Sequence, residues 1–381
     1  MLNIFNSIVL FVIIAFLCIL YKKHEEKMMN TNIDNDNYSM LRKYLLADGD
    51  GLLNVKKPIM WIHVPKEYNS RNWLSFNSRS SYELNQNYLY LTLKSIIKNN
   101  DNDFHIIICD DSIFEKLLPT WNVNFTTVSD PIKSHLRTLG FFKILNTYGG
   151  LLCPLQFLCF KSFFSIYESA VSVGKIISFE EPNITGYSTS NIEPSFYPNT
   201  SFIGCNKDND SMKELIQFTE ITISSDFTSQ MDFNGSLNKF LQENVNKHKI
   251  ELIDGRMIGV KDINGTPIIL DELMEEKHIK FDESSLGILI PSKEILSRHK
   301  YNYFARLSEE QILNSNCALC KYILLASTPN YIEGFIGEIN STKPNYWNGY
   351  WKTPLGPPLY GPRPLGVAPN DRVKKLPYPS N

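Results

Sequence analysis

An α/β fold is predicted by three features of the sequence. Two short apolar runs, Pro58–His63 and Phe104–Cys109, are each closed by proline or aspartate and read as strands buried on both faces. Between them Leu89, Leu93, Ile96 and Ile97 recur at helical spacing, giving strand, helix, strand in the order of a parallel crossover. A second helical pattern through Phe141, Ile144, Leu145 and Tyr148 meets Gly149-Gly150 and then the strand-like segment Leu151–Leu158.

Taken in order, Ile4 to Tyr21 is apolar except for Asn6 and Ser7, close to the roughly 20 residues that cross a hydrocarbon core, and predicts one transmembrane helix over residues 1–22. Lys22, Lys23 and Lys27 flank its C-terminal side only, so the charge bias places the large domain in the cytosol, with a lumenal orientation left open. Residues 23–55, rich in Asn, Asp, Lys and Met, read as a stalk. The domain proper is expected over 56–335. Ser80-x-x-Glu83 predicts a capping box ahead of a helix that ends near Asn99-Asn100. Gly149-Gly150 is expected to stop the next helix through a left-handed C-cap. Further strands are predicted at Gly174–Phe179 and Thr200–Cys205, with helices capped by Ser211-x-x-Glu214 and Ser308-x-x-Gln311. Residues 336–381 form an aromatic tail dense in proline and glycine, unsuited to sheet or helix interiors and able to offer a polyproline segment to a protein partner.

With 381 residues, of which 43% are hydrophobic, the chain can bury a full core. A net charge of -2 with no long basic run gives no electrostatic case for nucleic acid. Seven cysteines are too few and scattered for a disulfide scaffold. Cys317 and Cys320 form the single CxxC, which reads as buried thiols because no second pair stands at zinc-ligand spacing. Asn-x-Ser/Thr triplets at Asn124, Asn183, Asn199, Asn234 and Asn264 do not settle the topology in an Asn-rich chain.

Helix, Tyr148-Gly149-Gly150 and strand together resemble the core of the capsular-polysaccharide-synthesis and related mannosyl-type glycosyltransferases. The forms Ser134-His135-Leu136-Arg137 and Gly149-Gly150-x-x-x-Pro154 are also similar to glycosyltransferase-like membrane proteins of large DNA viruses. The resemblance covers roughly Pro58 to Cys205. It implies a single Rossmann-like three-layer sandwich of the nucleotide-diphospho-sugar transferase (GT-A) type, with a nucleotide-sugar donor bound at the C-terminal ends of the strands and a glycan acceptor. In that family the strand after the glycines carries Asp-x-Asp, which holds a divalent metal against the donor diphosphate. Here the two positions are Pro154 and Gln156, neither of which offers an anionic oxygen, so no metal and no other cofactor is expected. The family's helical Asp and Arg, one turn apart, fall on Thr138 and Phe141, while His135 and Arg137 are expected on other faces. Cations near the predicted strand ends are Arg71, Arg79 and Lys133.

The candidate nucleotide-sugar contacts are therefore His63, Arg79, Asp110, Gly149 and Gly150, with no catalytic residue assigned. Each has a purely structural reading: a core histidine, a solvated arginine, a turn or N-cap aspartate and backbone-shaping glycines. Asp111 is read as a cap, and Pro154 as marking a bulge or an edge strand. Two functions stay open, metal-independent glycosyl transfer and an inactive pseudo-glycosyltransferase that binds a glycan or a protein.

Overall fold

A computed structural model of the chain describes residues 56–65, 86–125, 127–182, 196–225, 230–276 and 278–327, together with 41 and 43–45. The chain divides into two compact units, 1–47 and 48–381, and the second holds all that follows. The apolar run 4–21, the 80–83 capping pattern and the tail 336–381 lie outside the described residues, as does most of the stalk. Among the described residues, no helix is long and apolar enough to cross a membrane.

The strands are β1 Ile59–His63, β2 His105–Cys109, β3 Gly150–Cys153, β4 Phe157–Cys159, β5 Ile176–Pro182, β6 Phe196–Cys205, β7 Ile250–Ile253 and β8 Gly287–Leu289. The helices are α1 Asn87–Asn100, α2 Ile113–Leu117, α3 Ile132–Tyr148, α4 Phe164–Ser172, α5 Asp210–Ser224, α6 Gln230–Asn246, α7 Leu270–Met274, α8 Ser292–Ser297, α9 Glu309–Leu313 and α10 Ala318–Ser327. Six strands form one sheet in the order β2-β1-β3-β6-β5-β7, and β4 pairs with β8 in a small second sheet. Among the described strands of the large sheet, only β6 runs against its neighbours. The fold is therefore α/β with a mixed sheet, as the buried apolar runs predict.

Right-handed crossovers decide which face each helix covers. The chain steps from β1 to β2 in one direction and from β2 back past β1 to β3 in the other, so α1 and α3 fall on opposite faces. Phe104, just after α1, meets Phe164 and Tyr167 of α4 edge-on at 6.0 and 5.6 Å, placing α4 on the α1 face. On the other face Lys143 of α3 pairs with Glu220 of α5 at 2.6 Å, and Phe218 stacks on Phe240 of α6 at 4.2 Å. Under β6 and β5 the rings of Phe157, Phe163, Phe179 and Phe202 form a fully buried cluster, with Phe179 and Phe202 stacked at 3.9 Å. Each such side chain contributes roughly 2–3 kcal/mol by leaving water.

The turn from α3 into β3 requires its two glycines. Gly149 has φ 73° and ψ −171°, so it ends the helix outside the left-handed helical region expected of a C-cap. Gly150 has φ 106°, and a Cβ there would stand 2.2 Å from the Ile59 carbonyl oxygen. Trp61, with no exposed surface, donates its indole N–H to the Gly149 carbonyl at 2.9 Å. This close seating sets β3 directly beside β1.

Three expectations change here. The segment Leu151–Leu158 is not one strand: β3 stops at Cys153, and Pro154 lies in the turn to β4, with its carbonyl accepting the Phe157 N–H at 3.0 Å. Proline thus removes no ladder donor and makes neither a bulge nor an edge. The α5 cap is Asn209, not Ser211, because the Asn209 side chain accepts the Met212 N–H at 3.1 Å. The capping box at Ser308 and Gln311 forms as the spacing predicts, with both reciprocal hydrogen bonds present.

Candidate functional site

The order of the sheet reverses between β1 and β3: β1 leads to β2 on one side, and β3 lies on the other. In open α/β sheets the crevice at the C-terminal ends of such a pair is where ligands bind. A cleft of about 610 Å³ opens there, lined by His63 at the end of β1, by Cys153, Pro154 and Gln156 at and beyond the end of β3, and by Arg137 of α3. Its size is that of ordinary small-molecule sites.

Four elements supply its walls. From α3 come Ser134, Arg137, Thr138 and Phe141, spaced i, i+3, i+4 and i+7 and so on one helical stripe. From α1 come Leu89, Tyr90 and Leu93. Lys293 of α8 and Thr200 and Ser201 of β6 close the remaining side. The turn after β3 is pinned beneath them: Thr92 of α1 donates its hydroxyl to the Leu155 carbonyl at 2.7 Å, and Ile290 donates its N–H to the Gln156 carbonyl at 3.1 Å.

The electrostatic centre is Asp111. Arg137 grips its carboxylate with two hydrogen bonds, Nε to Oδ1 at 2.7 Å and Nη2 to Oδ2 at 2.6 Å. His63 Nε2 lies 3.0 Å from the same Oδ1. An ionised carboxylate only accepts, so Nε2 carries the proton and Nδ1 is left as an acceptor. Burial opposes ionisation of Asp111, but the hydrogen bonds from His63 and Arg137 and the Arg137 charge outweigh it and hold the carboxyl well below the usual range. The His63 ring is further fixed edge-on to Phe141 at 5.0 Å.

One polar atom in the wall is unsatisfied. The Tyr90 hydroxyl is buried without a hydrogen-bond partner, while its ring carries the Lys94 ammonium at 4.1 Å. A buried orphan donor is uncommon and fits a wall that completes its bonding with a ligand.

Of the expected contacts, His63 lines the cleft. Asp110 does not: its Oδ1 accepts the Ser112 N–H at 3.0 Å and the Ser112 hydroxyl at 2.5 Å, which is turn chemistry. Gly149 and Gly150 sit at the opposite end of β3, in a recess of about 520 Å³ with Lys56, Lys57 and Lys207. Arg79 and Arg71 lie outside the described residues, and Lys133 is not among the cleft residues. Asp111, read from the sequence as a cap, and Arg137, which the sequence allows to contact a phosphate but places on another helical face, form the charged pair at the cleft. The i, i+3, i+4 spacing of Ser134, Arg137 and Thr138 was the available signal, since a long arginine reaches a cleft edge from the flank of a stripe. His135 does point elsewhere: it is 2% exposed and stacks on Phe233 of α6 at 3.8 Å.

Pro154 and Gln156 occupy the cleft rim but do not fit a hard divalent cation, and among the described residues no group of three His, Cys, Asp or Glu could hold one. Asn199 is also unsuited to modification as folded, being 4% exposed with its Oδ1 bound to the Ser201 and Phe202 N–H groups. Compared with known proteins, the chain matches no family model and no curated protein.

Proposed function

We propose that the chain is a membrane-anchored, glycosyltransferase-like protein of the nucleotide-diphospho-sugar transferase type, whose cleft takes a nucleotide-sugar donor without a metal. The observation that carries this reading is that Pro154 and Gln156, at the positions of the family's Asp-x-Asp, line a switch-point cleft together with Arg137. A guanidinium has five N–H donors. Asp111 takes two of Arg137's and fixes its plane, leaving the others for phosphate oxygens. Lys293 adds a second cation on the far wall.

In glycosyl transfer the bond from the sugar's anomeric carbon to the diphosphate breaks as an acceptor hydroxyl attacks that carbon. Charge develops on the departing diphosphate, and a preorganised Arg137 answers it where a metal otherwise would. The acceptor's proton passes to His63 Nδ1, with Asp111 stabilising the imidazolium that forms. Tyr90 offers its unsatisfied hydroxyl to the bound donor.

A second reading, an inactive scaffold that holds a glycan or a protein partner, is favoured by Asp111 being committed to Arg137 through both oxygens and by the apolar surface of Leu89, Leu93, Phe141 and Leu152. A thermal-shift screen of the full-length chain against UDP- and GDP-sugars, with Mn²⁺ or with a chelator, separates the two. Stabilisation of equal size in both conditions supports the metal-free donor site. A response only with Mn²⁺ overturns that route, and no response to any nucleotide sugar leaves the scaffold reading.

A further inference from the structure

Outside the cleft lining, Cys317 and Cys320 are 1% and 0% exposed, and their Sγ atoms lie 2.9 Å apart. Cys317 immediately precedes α10, and its Sγ accepts the Cys320 N–H at 3.3 Å, the place a capping oxygen takes at a helix start. The other described cysteines are differently engaged: Cys109, Cys153, Cys159 and Cys205 direct their thiols at backbone carbonyls. Forming a disulfide from 2.9 Å requires the two sulfurs to close to about 2.05 Å, within reach of small side-chain rotations.

We propose that Cys317 and Cys320 are a redox modification site, cycling between a dithiol and an intramolecular disulfide by exchange with a low-molecular-weight disulfide. The Cys317 thiolate attacks one sulfur of the oxidant, forming a mixed disulfide and releasing the first small thiol. The Cys320 thiolate then attacks Cys317 Sγ and expels the second. Two electrons and two protons pass from the protein to the oxidant, and no further reactant is needed. Position selects Cys317 as the attacking group, since it has the helix N-terminus and the Cys320 amide to steady its anion. Burial opposes that anion, yet hydrogen bonds from the Cys320 thiol and amide and from Ser315 bring the Cys317 thiol below its ordinary value, while Cys320 is pushed up. Both sulfurs are enclosed, so exchange waits on opening of the turn ahead of α10 and runs slower than at surface thiols.

The pair belongs to a core that also contains Tyr88 and Leu91 of α1, and Lys98 of α1 donates to the Ala326 carbonyl of α10 at 3.1 Å. Oxidation therefore staples the start of a helix packed behind the cleft wall. The site stands whether or not the cleft binds a nucleotide sugar.

The test equilibrates the full-length chain in graded ratios of reduced and oxidised glutathione, quenches with an alkylating reagent and maps peptides by mass. The expected result is joint loss of the two alkylation sites on the peptide holding Cys317 and Cys320, with a decrease of about 2 Da relative to the unmodified dithiol. The oxidised chain should melt about 2–4 °C higher. Cys317→Ser and Cys320→Ser should each abolish the change. Should a variant fail to fold, the wild-type peptide map alone decides. Pairing among other cysteines, persistence of both thiols at every ratio, or stoichiometric Zn²⁺ that shields both from alkylation would overturn the proposal.

Discussion

Asp111 concentrates most of the cleft's polar order in one side chain, half of whose partners are cationic whatever the pH. Replacing it by Asn keeps the shape but leaves the Arg137 guanidinium without its counter-charge, and Asp111→Asn should cost about 2–4 kcal/mol in urea unfolding. The pH dependence has a definite sign. A carboxyl whose folded pKa lies below its unfolded value of 3.8 contributes stability above that value, and the contribution drains away as pH falls toward the folded pKa. The acid limb of the wild-type stability curve should therefore be steeper than that of Asp111→Asn below about pH 4. His63→Asn should leave donor affinity within about twofold and lower turnover by about 10²–10⁴, whereas Arg137→Met should weaken donor binding at least tenfold, about 1.4 kcal/mol or more. Calorimetry and initial rates separate these two effects. The choice between Asp110 and Asp111 could not be read from the chain, because both follow the same strand and differ only in which one the turn at Ser112 captures.

Among the elements, β3 and its flanks show where periodicity suffices and where it does not. The buried runs of β1 and β2 and the end of α1 at Asn100 are legible because apolar runs and helical spacing are local signals. The break after Cys153 is not, because the partner that draws β4 away is β8, more than a hundred residues further along the sequence. The long helix α6 is legible too, since Phe233, Leu237 and Leu241 recur at i, i+4 and i+8 among its Asn, Gln, Lys and Glu, although neither it nor β7 is among the expected elements. Gly150→Ala should be among the most damaging single changes, at least ~3 kcal/mol, since it combines positive φ with a Cβ driven against the β1 backbone; loss of soluble folded protein is the expected readout. Ser308→Ala should cost only about 1 kcal/mol, the worth of a surface cap, and shift the urea midpoint accordingly.

At the scale of the whole molecule, a donor held by the cleft bridges α1, α3, α8 and the turn after β3, so occupancy should be felt in global unfolding. At a hundred times its Kd a nucleotide sugar should add about 2.7 kcal/mol of stability, equally in chelator and in Mn²⁺, measurable as a ligand-dependent melting temperature. The layered sheet was foreseeable because crossover handedness follows from element order alone. The cleft's charge pattern was not, since it depends on which side chains from distant segments face one another. Gly149-Gly150 lies at the opposite end of β3 from Pro154 and Gln156, which line the cleft. The glycines are demanded by backbone crowding and would be demanded equally in a dead enzyme and in a live one. The backbone demand of the turn and the polarity of the cleft are thus set at separate ends of one short strand, and either can change while the other is kept.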